Sequence, residues 1–576
     1  MNEISVEQVL TSKYPTFASK PAPLRNSTLF ILRRLIREQE INRFLDTHSH
    51  RSGFEFVDQV LDYFDFSYSM NNRDRMNIPS TGRVLIVANH PLGALDGLAL
   101  LKLIGEIRRD VKIIANDMLM HFDSLSGLIL PVDNMGKGTR KRDISRIVES
   151  LQNEEAVIVF PAGEVSRASL TGIKDGKWNS GFIHFARKAN APILPIFMGG
   201  KNSSLFYGVS CLNRNLATLL LAREMFNQQA TILPVQVGEP IPFNQLDSLP
   251  VSNQEKAKLL KKHLYRIARN GRPLFITERT ITHPQDRQAL KQELRDSQLL
   301  GETGDGKKIY LFDYQPDSAV MQEVGRLREV SFRCVGEGTG EKHDLDCYDP
   351  YYRHLILWDD EQLEIAGAYR IGEAAKLYGD PDSPLYSSTL FRYNPSMTLY
   401  FEQGIELGRS FVQPRYWGKR SLDYLWFGIG AYLRQHPEIR YMFGPVSLSN
   451  TYPKRAKDLL VWFYRHYFSD SEQLARSLSP YTLDTETEQN IAILFNGEDY
   501  RENFRILKEQ LEFLGVSVPT LYKQYSEVCE PGGVRFLDFG VDASFNYCVD
   551  GLVLVDMNYL KEKKRKRYLT KPDSGN

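Results

Sequence analysis

The amino-terminal half alternates short apolar runs with amphipathic helical patterns, and this alternation constrains the fold more than any other feature. The apolar runs have the length of strands, whereas the segments between them repeat apolar side chains at helical spacing. Such alternation is typical of an α/β fold with helices packed on a sheet. The predicted strands are Arg83–Ala88, Val111–Ala115, Ala156–Phe160, Ile193–Phe197 and Thr231–Val237, and the predicted helices are Leu29–Phe44, Phe54–Phe64, Leu98–Arg109, Lys141–Gln152 and Phe182–Lys188.

A polar segment separates this half from a second series of strands and helices. Between Thr280 and Lys308, glycine and charged residues replace the apolar periodicity. The chain has 576 residues, more than one hydrophobic core usually organises. We therefore expect two domains, residues 1–295 and 305–576, the second of which contains a long predicted helix, Ser421–Arg434.

Charge and cysteine content exclude several classes of protein. Seventy-two lysines and arginines against 71 aspartates and glutamates are too balanced for a nucleic-acid binder that works mainly by neutralising phosphates. The five cysteines include no CxxC pair, which fits neither a disulfide scaffold nor a zinc site. No apolar run approaches the ~20 residues that span a bilayer, and no signal peptide is recognisable. We predict a cytoplasmic protein that binds no metal and no nucleic acid.

The densest polar motif follows the first predicted strand. The string IVANHPLGALDG turns through proline and glycine, which places His90 and Asp96 on a strand-to-helix loop. A neutral imidazole can accept a proton from a hydroxyl, and a carboxylate on its other nitrogen fixes the tautomer. His90 and Asp96 are therefore a candidate base and its orienting acid. The alternative is a solvated loop histidine beside an aspartate that caps a helix.

Two further blocks support the catalytic interpretation. A second apolar strand runs into FPAGEVSRASL, and a third, APILPIF, lies between Pro192 and Phe197. Together with the histidine motif, these blocks resemble the PlsC-type glycerolipid acyltransferases over residues 81–241. The resemblance implies that His90 deprotonates an acceptor hydroxyl, that Asp96 orients His90, and that the hydroxyl attacks an acyl thioester.

The histidine motif and the FPAGEVSRASL block depart from the PlsC-type pattern. Five residues separate the histidine from the aspartate where that family usually has four, so the loop must absorb one residue. In the FPAGEVSRASL block, Glu164 and Arg167 are displaced from the acidic and basic positions of the family. By resemblance we assign both residues, together with Gly163, to substrate binding.

Another segment, GLILPVDNMGKGTR, lies between the histidine motif and the FPAGEVSRASL block and indicates the charge of the acceptor. It places Asp133 where the family has an arginine that binds the acceptor's phosphate. An acid at this position favours a cationic acceptor over one that carries phosphate. Lys137 and Arg140 follow closely and are alternative phosphate ligands.

A basic loop in the carboxyl half precedes the helix Ser421–Arg434. Free backbone amides at the start of a helix suit an anion. Arg415, Gly418 and Lys419 lie in this loop and would help to attract a pyrophosphate or a phosphopantetheine phosphate. The alternative is a basic loop that only caps the helix.

The residues around this loop indicate which reaction it serves. The stretches LREVSFRCVGEGTGEKHDLDCYDPYYRHLILWD and IAGAYRIG resemble the GNAT-superfamily N-acyltransferases that make lyso-ornithine lipid, over residues 325–450. The resemblance implies a GNAT-like α/β fold with a mixed sheet, an acyl carrier protein as donor and an amino acid amine as nucleophile. It places Glu406 and Arg409 at the acyl-transfer site, with Glu406 as the candidate proton acceptor.

Two parts of that stretch have further interpretations. The GEGTG segment lacks the GK[ST] ending of a P-loop, and we expect it to be a flexible substrate loop. Asp344, Asp346 and Asp349 lack the spacing of a calcium-binding EF-hand. Our hypothesis is that these carboxylates hold a side-chain ammonium of the amino acid.

The order of the two halves resembles the bifunctional ornithine lipid synthases. The resemblance implies that the carboxyl half N-acylates ornithine from a 3-hydroxyacyl carrier protein, and that the amino half O-acylates the resulting lyso-ornithine lipid. Acyl carrier protein or acyl-CoA would supply acyl groups, with no bound cofactor. The basic run Lys561–Arg567 and the helix Leu29–Phe44 would hold the enzyme on the inner face of the cytoplasmic membrane.

Three alternatives remain open at this point. The basic run and the helix also fit a solvated tail and an ordinary packed helix. The same two enzymes could act on other acceptors, as a lysophospholipid O-acyltransferase fused to an N-acyltransferase for glycine, lysine or glutamine. The chain could also be a non-catalytic scaffold that binds lipid or carrier protein.

Overall fold

The computed structural model describes residues 5–13, 17, 21–48, 50–116, 123–132, 141–169, 172–212, 214–379, 384–495 and 499–570. The chain divides into two compact units, Met1–Thr282 and His283–Asn576. Each unit has its own sheet, with apolar side chains packed on both faces. The α/β fold expected for both halves is confirmed.

The division between the units lies one helix before the boundary expected near residue 300. Helix Arg287–Arg295 belongs to the second unit, because its Leu290 and Leu294 are buried with the apolar side chains of helix Ala319–Cys334. Strand Gln298–Glu302 follows this helix and joins the second sheet. Two leucines among many charges are too short a pattern to indicate a helix, which is why the segment resembled a linker.

The first unit contains a seven-stranded sheet and a separate hairpin. Its strands are β1 (Ser67–Ser69), β2 (Val84–Ala88), β3 (Val111–Asn116), β4 (Ile129–Val132), β5 (Ala156–Val159), β6 (Arg167–Ser169), β7 (Gly172–Lys174), β8 (Ile193–Met198) and β9 (Ile232–Val237). The sheet order is β1-β9-β8-β2-β5-β3-β4, and β6 pairs with β7. The five strands from β8 to β4 are parallel, whereas β9 is antiparallel to β8.

Helices cover both faces of this sheet. Val84 and Ile86 of β2 pack into the apolar cluster on one face, while Leu85 and Val87 pack into the cluster on the other. Burial on both faces explains why the central strands are continuous apolar runs. The helices are α1 (Val6–Lys13), α2 (Ala22–Ile36), α3 (Glu38–Thr47), α4 (Gly53–Tyr63), α5 (Asn72–Arg75), α6 (Ala94–Gly105), α7 (Lys141–Gln152), α8 (Gly181–Ala189), α9 (Ser204–Leu212), α10 (Arg214–Asn227), α11 (Phe243–Asp247) and α12 (Asn253–Ile267).

The helix expected over Leu29–Phe44 is two helices in the structure. Arg37 separates α2 from α3 and adopts the left-handed conformation, with φ of 56°. Its guanidinium carbon lies 4.5 Å from the centre of the Phe226 ring, which holds the turn against α10. The apolar spacing continues through the break, so periodicity alone does not indicate it.

The second unit contains an eight-stranded sheet in which most neighbours are antiparallel. Its strands are β10 (Gln298–Glu302), β11 (Lys307–Asp313), β12 (Arg353–Asp359), β13 (Glu364–Glu373), β14 (Phe391–Tyr393), β15 (Gly404–Val412), β16 (Tyr441–Leu448), β17 (Ala475–Ser477), β18 (Val534–Asp542) and β19 (Cys548–Asp556). The sheet order is β10-β11-β12-β13-β15-β16-β19-β18, and β14 pairs with β17 outside it. The parallel pair β15 and β16 makes the sheet mixed, as expected.

Strands β15 and β16 separate soon after they meet. Gly404–Glu406 pairs with Tyr441–Phe443, and beyond these residues the two strands no longer form ladder contacts. Gly444 lies where they part, and a Cβ atom there would be 2.0 Å from the carbonyl oxygen of Leu407. Only glycine permits this approach. The ladder between β15 and β16 therefore covers these three residue pairs, and the backbone of β15 beyond Glu406 has no ladder partner on β16.

Helices cover the two faces of the second sheet unequally. One face packs against α17 and α18 through a large apolar cluster, and the other carries α14 and shorter segments. None of the described helices is long and apolar enough to cross a bilayer. The helices are α13 (Arg287–Arg295), α14 (Ala319–Cys334), α15 (Ala374–Leu377), α16 (Thr398–Phe401), α17 (Ser421–Gln435), α18 (Lys454–Tyr467), α19 (Thr485–Leu494), α20 (Tyr500–Phe513), α21 (Thr520–Ser526) and α22 (Glu562–Leu569).

Candidate active sites of the two units

His90 and Asp96 lie together at the carboxyl end of β2. Asp96 is in the first turn of α6 instead of in the loop where it was expected. Its Oδ1 atom is 2.9 Å from His90 Nδ1, and its Oδ2 atom accepts hydrogen bonds from the N–H groups of Leu92 and Gly93 at 2.7 and 3.2 Å. The loop turns at Gly93, whose φ of 104° favours glycine, and this turn absorbs the additional residue of the motif. Asp96 therefore both caps the helix and contacts the imidazole.

The surroundings of His90 stabilise its protonated form. Burial alone lowers the pKa of the imidazole, but the charge and hydrogen bonding of Asp96, with the charge of Asp175, raise it above the ordinary value. The ring stacks on Phe160 with ring centres 4.2 Å apart, and 21% of the side chain remains exposed. A histidine in this position can take a proton from a substrate while a buried carboxylate stabilises the imidazolium.

A second carboxylate, Asp175, holds the same loop. Its Oδ1 atom accepts hydrogen bonds from the His90 N–H at 3.2 Å and from the Ser166 hydroxyl at 2.5 Å, and its Oδ2 atom accepts one from the Trp178 indole at 2.9 Å. The Ser166 N–H donates to the His90 carbonyl at 2.7 Å. His90 is therefore fixed on both sides of its backbone. Asp175 was not among the residues expected from the sequence, where the one available signal is a tryptophan three residues later whose N–H needs an acceptor.

The segment that contains Gly163, Glu164 and Arg167 follows β5 and lies beside His90. Glu164 forms an ion pair with Arg167 at 3.0 Å, and Arg167 also donates a hydrogen bond to the Ser210 hydroxyl on α9. Gly163 has φ of 67°, a conformation that favours glycine. The structure thus brings Gly163, Glu164 and Arg167 next to the histidine, with the two charged residues paired to each other.

These residues form part of the wall of a large cavity in the first unit. The cavity has a volume of about 1090 Å³ and is lined by His90, Gly163, Glu164, Arg167 and many apolar side chains. This volume slightly exceeds the ~300–1,000 Å³ of typical small-molecule sites, and the apolar wall suits a hydrocarbon chain. The apolar residues include Phe44, Leu101, Ile113, Val159, Phe185 and Met225.

The residues expected to bind the charged part of the acceptor are not described. Asp133, Lys137 and Arg140 lie outside the described residues. Asp133 therefore remains a prediction. In the part of the chain that is described, no three His, Cys, Asp or Glu side chains are grouped so as to hold a metal ion.

Glu406 lies on β15, in the last residue pair of the ladder between β15 and β16. Its side chain is 1% exposed and accepts hydrogen bonds from the N–H groups of Ser387 at 2.8 Å and Tyr386 at 3.2 Å. The hydroxyl of Tyr352 also donates to this carboxylate. Burial raises the pKa of Glu406 above its ordinary value. A carboxyl with a raised pKa is a stronger proton acceptor when ionised.

The three aspartates of the DLDCYD string are paired with arginines. Each of these acids forms an ion pair with a guanidinium group, and the aspartates help to fix the positions of arginines that are almost completely buried. The pairs are Arg328 with Asp349 at 2.9 Å, Arg370 with Asp346 at 2.6 Å and with Asp349 at 3.3 Å, and Arg409 with Asp344 at 3.6 Å and with Asp346 at 3.7 Å. Among the described residues, Oδ2 of Asp344 and Oδ2 of Asp346 have no hydrogen-bond partner. The hypothesis that these acids hold a substrate ammonium stays a prediction.

Arg409 occupies an irregular position in β15. Its φ of 47° is in the left-handed region, and the pairing of β13 with β15 shifts register beside it. The guanidinium carbon lies 5.1 Å from the centre of the Tyr386 ring and 4.9 Å from that of Phe545. Aromatic rings and carboxylates therefore hold this side chain in one place on the face that carries Glu406.

The GEGTG segment, expected to be a flexible substrate loop, is hydrogen-bonded to α14. The carboxylate of Glu329, on α14, accepts hydrogen bonds from the N–H groups of Thr339 at 3.2 Å and Gly340 at 2.9 Å. The Thr339 hydroxyl also donates to Glu329 at 2.9 Å. Glu329 is fully buried. The sequence pattern of GEGTG does not show that this distant glutamate accepts its hydrogen bonds.

The basic loop before α17 presents charge at a helix start. No side chain caps α17, so the first N–H groups of this helix are available to an anion. Gly418, with φ of 73°, and the exposed Lys419 lie in this loop. Arg415, whose side chain is also exposed, forms an ion pair with Glu364 at 2.6 Å.

Comparison with known proteins identifies both units as acyltransferases. A family model described as "Acyltransferase" matches residues 8–271, and the model "Acetyltransferase (GNAT) domain" matches residues 327–427. A glycine N(alpha)-acyltransferase of Bacteroides thetaiotaomicron is 32% identical over 304 residues, which cover 50% of this chain and 89% of that protein.

Two other relatives represent both kinds of acyl transfer. A lyso-glycine lipid O-acyltransferase of Bacteroides thetaiotaomicron is 30% identical over 272 residues, 46% of this chain and 97% of that protein. An L-ornithine N(alpha)-acyltransferase of Rhodobacter capsulatus is 27% identical over 271 residues, 44% of this chain and 92% of that protein. The chain therefore belongs to the family of amino acid lipid acyltransferases, and it joins a PlsC-like O-acyltransferase domain to a GNAT-type N-acyltransferase domain in one polypeptide.

Proposed function

We propose that the chain makes a diacylated amino acid lipid by two successive acyl transfers. The second unit forms an amide between an amino acid and a 3-hydroxyacyl group, and the first unit esterifies the hydroxyl of that group with a second acyl chain. The observation that carries this proposal is the His90–Asp96 pair in the wall of a large apolar cavity. The order follows from the chemistry, because the ester needs the hydroxyl that the first acyl group supplies.

In the ester step, His90 is the general base. Its Nδ1 atom faces Asp96, so Nε2 accepts the proton of the acceptor hydroxyl. The hydroxyl oxygen attacks the thioester carbonyl, the ester bond forms and the C–S bond breaks. The imidazolium then gives its proton to the departing thiolate. Asp96 stabilises the positive ring between these two proton transfers.

In the amide step, the amine attacks a thioester bound beside β15, where the ladder between β15 and β16 ends. Glu406 accepts the proton that the amine loses, directly or through water, and the departing thiolate takes up a proton as the C–S bond breaks. Burial and the raised pKa of Glu406 support this role. Arg409, fixed by carboxylates and aromatic rings, lies on the same strand and contributes to substrate binding.

We propose an acyl carrier protein as donor of the amide step and acyl carrier protein or acyl-CoA as donor of the ester step. Both donors attach the acyl group to phosphopantetheine, which carries a phosphate. The uncapped start of α17 and the exposed Lys419 suit that phosphate. The two reactions balance with side chains of this chain alone, so we propose no bound cofactor and no metal.

We propose that the enzyme works on the inner face of the cytoplasmic membrane, since its product is a lipid. The basic run Lys561–Arg567 lies largely in α22, and most of its basic side chains are exposed. Arg567 bonds to Asp423, and Tyr568 packs on Trp426 at 5.8 Å between ring centres. The helix is therefore docked, and its exposed bases could each add ~1 kcal/mol at an anionic surface.

The relatives name two amino acids as acceptors. Ornithine is the acceptor we propose, with lyso-ornithine lipid as the acceptor of the ester step, and one relative is an L-ornithine N(alpha)-acyltransferase. Glycine is the second candidate, because a glycine N(alpha)-acyltransferase matches half of this chain at 32% identity. The two acceptors differ in one chemical respect that a binding site can detect, the side-chain ammonium of ornithine.

Release of free thiol tests the amide step. Purified full-length chain with a 3-hydroxyacyl carrier protein should release thiol when ornithine or glycine is added, because amide formation consumes the thioester. A reaction without amino acid measures hydrolysis of the donor and is the control. Thiol release that stays at this background with every amino acid tested would contradict the N-acyl assignment.

A further inference from the structure

The large cavity of the first unit is lined from both faces of the sheet. Ile113 of β3 pairs with Ile158 of β5, the residue that precedes Val159 on the same strand. Paired residues of neighbouring strands point to the same face, whereas successive residues of one strand point to opposite faces. Ile113 and Val159 accordingly belong to the apolar clusters on opposite faces. Both side chains nevertheless line the same cavity.

Each face contributes an apolar wall of its own. The Ile113 region is bounded by α3, α4, α6 and α10, and the Val159 region is bounded by β4 and α8. The side chains of the Ile113 region include Phe44, Phe56, Val60, Leu101 and Phe226. Those of the Val159 region include Val132, Phe182 and Phe185.

The two regions meet at His90. Strand β5 ends at Val159, and the next two residues, Phe160 and Pro161, line the cavity together with His90. The ring of Phe160 stacks on that of His90 with centres 4.2 Å apart. Strands β2 and β5 are parallel neighbours, so their carboxyl ends lie side by side. The cavity therefore passes from one face of the sheet to the other around these strand ends, next to the imidazole.

A glycine of α6 leaves space in the Ile113 region. Gly97 is buried in the helix and lines the cavity, although glycine is less favourable than alanine in a helix interior. A Cβ atom there would be 3.4 Å from Ile113 Cδ1 and 3.7 Å from Phe160 Cε2, which are ordinary contact distances. The packing of the protein therefore does not require a glycine at this position. Its missing side chain leaves room for a ligand.

The proposed ester joins two hydrocarbon chains at adjacent atoms. The acceptor hydroxyl is on the third carbon of a 3-hydroxyacyl group, so the acceptor's own chain continues beyond the oxygen that reacts. The donor's chain begins at the thioester carbonyl that this oxygen attacks. Two chains must therefore leave the reacting atoms in different directions, and burial of each methylene group in an apolar wall is favourable.

We propose that the Ile113 region and the Val159 region hold different chains in the ester step, one the acyl chain of the donor and the other the acyl chain of the lyso-lipid acceptor. This inference rests on the proposed O-acyl transfer in the first unit. The two chains lie on opposite faces of the sheet and share only the space at His90. The enzyme therefore selects the length of each chain independently of the other.

Chain-length preferences of the wild-type protein test the two regions without any substitution. Thiol release from acyl carrier proteins, with N-(3-hydroxyacyl)ornithine or N-(3-hydroxyacyl)glycine as acceptor, gives kcat/KM for each combination of donor and acceptor length. We expect the preferred acceptor length to be the same for every donor. A preferred acceptor length that falls as the donor lengthens would show that both chains share one region, and would overturn the inference.

Gly97→Leu and Val159→Phe fill the two regions separately. Loss of burial for about two methylene groups should lower kcat/KM for long chains by ~10-fold. We expect each variant to disfavour long chains of one substrate only, and the two variants to act on different substrates. This pattern assigns each chain to its region. If both variants act on the same substrate, or if neither changes a preference, the inference is wrong.

Gly208→Leu is the matched control, because Gly208 is an exposed glycine of α9 where a Cβ atom would meet nothing within 4 Å. It should leave both chain-length preferences unchanged. If Gly97→Leu or Val159→Phe fails to fold, the comparison of chain lengths in the wild type decides. Absence of ester formation with every combination would instead contradict the proposed function.

Discussion

His90→Ala should abolish ester formation while amide formation continues. Loss of a general base typically costs ~10²–10⁴-fold in rate, and the His90 imidazole lies against both Asp96 and the cavity. Because the amide is formed in the other unit, monoacylated lipid should accumulate. The measurement is thiol release from an acyl donor with purified lyso-lipid as acceptor. An ester rate equal to that of the wild type would contradict the role of His90.

Asp96→Asn should change the pH dependence of the same step. His90 must be neutral to accept a proton, so the ester rate rises with pH through its raised pKa. Without the charge of Asp96 that pKa falls, and the acid side of the profile moves to lower pH while the maximal rate also falls. His184→Ala, an exposed histidine on α8, is the matched control and should leave the profile unchanged. An unshifted profile for Asp96→Asn would contradict the pairing.

Asp349→Ala should destabilise the second unit by ~3–5 kcal/mol, because it leaves buried charges without a partner. Arg328 and Arg370 have side chains that are 1% and 0% exposed, and both contact Asp349. Burial alone raises the pKa of Asp349, but these two arginines hold it below the ordinary value. Its contribution to stability is therefore present above the pKa of the unfolded chain and is lost as pH falls through the lower folded pKa.

Urea unfolding followed by tryptophan fluorescence measures this effect. The signal reports mainly on the second unit, since Trp178 is the one tryptophan in the first. Asp313→Ala is the matched control, because it also removes a carboxylate from an arginine, but from a pair in which Asp313 is 72% exposed. That change should cost at most ~1 kcal/mol. Equal effects of the two substitutions would contradict the importance of the buried network.

The central architecture of the first unit could be predicted because its parallel strands are buried on both faces. Strands such as β2 and β8 must be continuous apolar runs, and such runs stand out from the helices between them. The motif that follows β2 then placed His90 at the carboxyl end of a strand, where the structure has it. The break at Arg37 could not be predicted, since a single residue in the left-handed conformation leaves the apolar spacing intact.

The second unit was predicted less completely because its site depends on pairs of distant residues. The string DLDCYD shows three acids, but their arginine partners come from α14, β13 and β15. A sequence read from end to end cannot show which of these charges neutralise one another. Asp175 of the first unit was missed for the same reason.

An intact-mass spectrum of lipid shows whether one molecule receives both acyl groups. The full-length chain is expressed in a host that makes no amino acid lipid, and total lipid is compared with that of the same host carrying His90→Ala. The account predicts a wild-type species with one amino acid and two acyl groups, and a variant species with one acyl group. A monoacylated species as the sole product of the wild type, or new species confined to phospholipids, would contradict it.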